Sequence, residues 1–186
     1  MSYGQAVGCP AASRRQGGTT LIVDIHVHPP GHGQPQDQFL AAVESMLDAG
    51  RRAGIDKQVW VGDTDAAGNE RVRELVDRYP DQIIGFARGI RSDPDSPATI
   101  ARYVLEHGFK GVKLHNERDL PLDALLASYP IYAKAAELGI PVLIHGFHEE
   151  EGLSADLHEE LAGGASHYPV RLIAELGKRY PDTTFM

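Results

Sequence analysis

The chain has 186 residues, 42% of them hydrophobic and 24% charged, which is enough for one globular domain with a sizeable core. A formal charge of -8 and a sequence pI near 5.5 speak against nucleic acid and other polyanions as partners, and the basic pairs Arg14-Arg15 and Arg51-Arg52 read as solvated. A single cysteine, Cys9, excludes an intrachain disulfide and leaves nitrogen and oxygen as the donors for any metal, and no apolar run is long enough to span a bilayer.

Residues 1–18 are rich in Gly, Ser and Ala and lack the apolar centre of a secretory signal, so they read as a flexible tail on a cytoplasmic protein whose folded part spans 19–186. The first predicted strand, Leu21-Ile22-Val23-Asp24-Ile25-His26-Val27-His28, is stopped by Pro29-Pro30-Gly31. Residues i and i+2 of a strand share a face, so His26 and His28 can reach one ion, with Ile25 and Val27 expected to pack on the other side. The bland alternative is two histidines that are exposed or hydrogen-bonded in an ordinary strand. Phe39, Leu40, Val43, Met46 and Leu47 then form a helical stripe that Gly50 and Gly54 are expected to end.

Gln58-Val59-Trp60-Val61-Gly62 reads as the second strand, Val72, Leu75, Val76 and Tyr79 as a helix ended by Pro80, and Ile83-Ile84-Gly85-Phe86-Ala87 as the third strand. Ile100, Tyr103 and Val104 mark a helix with Gly108 as its C-cap, ahead of a fourth strand, Phe109 to His115. A helix between Leu122 and Leu138, broken near Pro130, leads through Gly139 into the fifth strand, Ile140-Pro141-Val142-Leu143-Ile144-His145-Gly146. Val170, Leu172, Ile173, Leu176 and Tyr180 make the last helix. Arg78-Tyr79-Pro80-Asp81 recurs as Arg179-Tyr180-Pro181-Asp182, each time before a strand, so Thr183-Thr184-Phe185-Met186 is expected to open a sixth strand and the natural chain to continue beyond it.

Strands alternating with helices through short connections define an α/β protein with a parallel sheet. Periodicity does not separate an open doubly wound sheet from a barrel. The placement of polar residues does: histidines end strands one and five, and Lys113 and His115 end strand four, which is where a barrel gathers its functional groups. The expected architecture is therefore an incomplete (β/α)8 TIM-type barrel, with about the first five and a half βα units present.

Four segments in order, Asp24-Ile25-His26-Val27-His28-Pro29, Gly108 to His115, Ile140 to Gly146 and Tyr168 to Met186, resemble the amidohydrolase superfamily. More narrowly, they are similar to its amidohydrolase-related branch, which includes aminocarboxymuconate semialdehyde decarboxylase and several lactone hydrolases. The resemblance covers roughly residues 20–186. It implies a metal-dependent barrel, usually with Zn²⁺, in which His26, His28 and His145 bind the ion; Mn²⁺, Fe²⁺ or Co²⁺ also suit such ligands. The family's further His after strand six and Asp after strand eight correspond to no position in this sequence.

The resemblance also bears on strand four. Lys113 has three readings: a carbamylated bridge between two metals, as in some branches of the superfamily, a partner for a substrate or protein carboxylate, or a solvated rim position. His115 is expected to touch substrate or metal, or to support a ligand, and with Lys113 it forms the candidate catalytic pair. Asp24 reads as support for the histidines. His32, His148, His158 and His167 read as surface or mouth residues, and Asp63 and Asp65 as turn or capping residues with a place near the pocket as the alternative.

The leading functional expectation is a hydrolase that uses metal-activated water on a small lactone, ester or amide. The alternative is a non-oxidative decarboxylase of an aromatic or unsaturated carboxylic acid, marked by basic groups placed for a carboxylate. The metal-dependent nuclease and phosphatase branches also begin with His-x-His, but the acidic charge balance offers them little. A non-enzymatic alternative is an inactive barrel fragment without the strand-six and strand-eight residues. Partners are expected to be a small-molecule substrate and other copies of the chain.

Overall fold

The computed structural model describes residues 20–31, 35–63, 67–114, 129–145 and 168–186, with side chains in the last stretch from 173 onward. The expected tail, His32, Asp65, His115, the segment 122–128, and His148, His158 and His167 lie outside the described residues.

Strands β1 (Val23–Val27), β2 (Lys57–Val61), β3 (Ile83–Arg88), β4 (Gly111–Leu114) and β5 (Val142–Ile144) alternate with helices α1 (Gln36–Arg52), α2 (Gly68–Arg78), α3 (Ser96–His107), α4 (Tyr129–Leu138) and α5 (Tyr168–Arg179). All adjacent strands pair in parallel, and their spatial order is their chain order, β1-β2-β3-β4-β5. A doubly wound sheet must reverse its order at a switch point. This sheet does not, and it curls as part of a (β/α)8 barrel. The expected sixth strand begins on schedule: Phe185 bridges Val142, and Met186 donates its N–H to the Val142 carbonyl at 2.9 Å. The repeated Arg-Tyr-Pro-Asp turns behave alike, since Tyr79 donates to Leu75 and Tyr180 to Leu176, each closing its helix before the next strand.

Strands β2 to β5 bury both faces, which explains their near-continuous apolar character. On the outer face Trp60, Ala87, Val112, Leu114 and Val142 pack beneath Val43 and Leu47 of α1, Val72 and Leu75 of α2, and Ile100 of α3. The inner face holds a smaller cluster of Val59, Val61, Phe86 and Leu143. Phe86 lies across Gly111, its register partner, so closely that a β-carbon at Gly111 would enter the ring. That contact floors the barrel interior. Gly108, with φ +70°, is the left-handed C-cap of α3 that the sequence predicts.

Three local expectations are corrected. Gly50 does not end α1; it is buried inside the helix, where the Gln58 amide occupies the space a β-carbon would need, and the left-handed turn falls at Gly54. The third strand extends one residue past Ala87 to Arg88. In β1 the register shifts between Asp24 and Val27, three steps there matching two on β2. This bulge breaks the two-residue alternation, so Val27 packs in the core while Ile25 is 45% exposed.

Candidate metal centre

The bulge in β1 decides where the histidines go. Val27 faces the helices opposite Trp60, so His26 and His28 on either side of it turn to the inner face, at the C-terminal end of the strand. Asp24 supports the turn by accepting the backbone N–H of His26 at 3.1 Å. The two Nε2 atoms lie 3.0 Å apart. Two nitrogens bound to one tetrahedral ion at 2.0–2.1 Å would stand about 3.3 Å apart.

His145 follows β5, its backbone N–H fixed to the Leu114 carbonyl at 2.9 Å, and its ring meets the His26 ring edge-on with centroids 6.2 Å apart. Among the described residues no three donors already stand at ligand spacing. The His26–His28 pair does, and His145 flanks it.

Electrostatics favour the protonation state a metal requires. Burial is the largest influence on His26, followed by the charge of Lys113 and the neighbouring His28 and His145; together they outweigh Asp24 and lower its pKa to about 4. His28 is lowered too, by burial first and by Lys113 and Arg88, against the opposing pull of Asp63. Both imidazoles are therefore neutral at pH 7, as ligands must be. Two neutral rings with Nε2 facing Nε2 need a proton or a cation between them.

Next to the histidines lie two cations. Lys113 of β4 and Arg88, the last residue of β3, are register partners on adjacent strands, with Leu143 of β5 in the following position. They are 1% and 4% exposed. Burial lowers the Lys113 pKa to about 8, with the Arg88 charge adding to it, and burial lowers Arg88 to about 10. Among the described residues Lys113 has no ion pair, and Nη1 of Arg88 is buried without a hydrogen-bond partner. Asp63, just past β2, pulls the Arg88 pKa upward and lies 3.9 Å from Arg71. Asn69, buried at the start of α2, clamps the Arg88 backbone: its Oδ1 accepts the N–H at 2.6 Å, and its Nδ2 donates to the carbonyl at 3.2 Å.

Of the residues singled out from sequence, His26, His28, His145 and Lys113 thus converge, and Asp63 joins them. Arg88 and Asn69 were missed. Ending the third strand at Ala87 left Arg88 in a loop; one more step of the alternation after Phe86 places it inward beside Lys113.

Comparison with known proteins agrees with the fold. The amidohydrolase family model matches residues 23–179. The chain belongs to the amidohydrolase family. No curated protein sequence matches it. Among solved structures it is similar to a Staphylococcus aureus protein assigned to the amidohydrolases, with a TM-score of 0.64 and 16% identity over 89% of this chain and 66% of the other. It is also similar to 2,6-dihydroxybenzoate decarboxylase from Rhizobium, with a TM-score of 0.59 and 19% identity over 89% and 65% of the two chains. A third is 5-carboxyvanillate decarboxylase from Novosphingobium aromaticivorans, solved with manganese, with a TM-score of 0.57 and 21% identity over 83% and 53%. The chain thus spans just under two thirds of the length of the first two and about half of the third. These likenesses carry the fold.

Proposed function

We propose that this amidohydrolase-family chain forms the metal-binding half of a barrel that decarboxylates an aromatic or unsaturated carboxylic acid without oxidation. The observation that carries the reading is the pairing of neutral imidazoles with buried cations: His26 and His28 stand beside Lys113 and Arg88, a setting that draws in an anionic substrate. The decarboxylases among the structural relatives support it.

His26, His28 and His145 would hold a divalent ion, zinc or manganese being the first to test. When bound, the ion supplies Lewis acidity toward a substrate oxygen and lowers the pKa of bound water to roughly 7. Lys113 and Arg88 compensate substrate charge on the barrel face that also carries apolar Leu143 and Phe86. His115, two residues after Lys113 in sequence, is the proposed group for exchanging a proton with the substrate. A small-molecule substrate, a cytoplasmic setting and self-association complete the proposal.

Hydrolysis of a lactone or ester is the second reading, since a divalent ion held by the same histidines would also activate water near neutral pH. The test is to load the native protein with Zn²⁺ or Mn²⁺ and offer it hydroxybenzoates and small lactones. Release of carbon dioxide from the acids, with lactones untouched, is the expected result. Lactone opening without carbon dioxide would establish the second reading instead.

A further inference from the structure

Arg88 and Lys113 are an unusual pair to bury. They sit side by side on parallel strands, whose spacing is about 4.8 Å, at one register level and on one face. Like charges so placed repel, and each has lost most of its hydration. Buried charges are ordinarily paired, yet among the described residues Lys113 has no ion pair and Arg88 keeps a buried nitrogen without a hydrogen-bond partner. Asp63 is the acid that acts on Arg88, and it also lies beside Arg71. The backbone that carries the guanidinium is fixed, because Asn69 holds both the N–H and the carbonyl of Arg88. A guanidinium on a fixed stretch of backbone, beside an ammonium, is a forked set of donors suited to a carboxylate.

We propose that Arg88 and Lys113 form a subsite for a carboxylate that the substrate keeps throughout the reaction, so that the preferred substrates are dicarboxylates. That this carboxylate is retained rests on the decarboxylase reading. As the C–C bond breaks, its electron pair stays on the substrate carbon, which takes up a proton, and the departing group leaves as neutral carbon dioxide. Cations gripping the departing carboxylate would stabilise the substrate more than the transition state and slow the step. Cations gripping a second carboxylate hold it equally in both, and so orient the substrate beside the histidines at no such cost.

The test is equilibrium binding by calorimetry to the native protein, with isophthalate and benzoate as probes. Neither has a ring hydroxyl to take up charge, so both act as ligands. The comparison is repeated in Arg88→Met and Lys113→Met, whose folding is checked by thermal melting. The wild-type protein should prefer isophthalate, and each variant should lose on the order of 30-fold or more of isophthalate affinity and, with it, the preference over benzoate. Equal binding of the two probes by the wild type, or an isophthalate preference that survives both substitutions, overturns the subsite. The proposed activity fails separately: if the preference is lost in the variants but no carboxylic acid yields carbon dioxide, the subsite stands and the decarboxylase reading falls. If carbon dioxide is released and the variants keep the preference, the reverse holds.

Discussion

Lys113→Met tests whether the cation at the barrel mouth is held at the expense of stability. Burial and the Arg88 charge lower the Lys113 pKa from 10.5 to about 8, and each pKa unit corresponds to about 1.4 kcal/mol. The protonated lysine in the folded, ligand-free protein therefore costs about 3 kcal/mol relative to the unfolded chain. Methionine has a similar stem and no charge, so the variant should be more stable by about 2–3 kcal/mol near pH 7, several degrees in melting temperature. The sign of the pH dependence is fixed by linkage. Between pH 8 and 10.5 the unfolded chain still holds the proton that the folded one has released, so wild-type stability rises with pH across this window. The advantage of the variant should be full below pH 8 and fade toward pH 10.5. Denaturant unfolding of both proteins at pH 7 and pH 10, compared as a difference, cancels the other titrating groups. A variant that is less stable at pH 7, or whose advantage is the same at both pH values, would refute the argument that Lys113 is buried without compensation.

Four further outcomes follow from the same geometry. His26→Ala or His145→Ala should abolish bound metal and turnover together, as read by elemental analysis of the purified protein; full metal occupancy in both variants would remove the site assignment. Isophthalate binding should weaken as pH rises through about 8, because Lys113 is then neutral while Arg88, with a pKa of about 10, stays charged. His26 on β1 and His28 just after it are already neutral there and do not change over that range. Asn69→Leu leaves the Arg88 N–H and carbonyl without their partner and should cost about 1–3 kcal/mol per buried group in chemical unfolding, with weaker isophthalate binding. Gly111→Ala drives a methyl into the Phe86 ring and should destabilise by about 1–3 kcal/mol; an unchanged melting temperature would mean that the barrel floor yields.

Much of the architecture was legible because two-residue and helical periodicities are local. The strand and helix order, the Gly108 cap and the paired turns at Tyr79 and Tyr180 all depend on residues within one or two turns of each other. The errors fell where distant contacts override that pattern. Gly50 sits inside the helix where Gln58 of the next strand leaves no room for a β-carbon, and Ile25 is exposed where β1 bulges against β2.

The candidate site divides in the same way. His26, His28, His145 and Lys113 could be named from sequence because each closes an apolar run, and a chemistry-bearing residue at a strand end stands out. The sequence by itself determined the alternation of strands and helices and the types of donor at their ends. Only the tertiary structure decided that these ends meet, since consecutive strand order, and not a reversal, curls the sheet toward one axis. It also decided that Arg88 is a neighbour of Lys113: register between strands 25 residues apart is set by hydrogen bonds and by Phe86 packing over Gly111, and no local pattern records it.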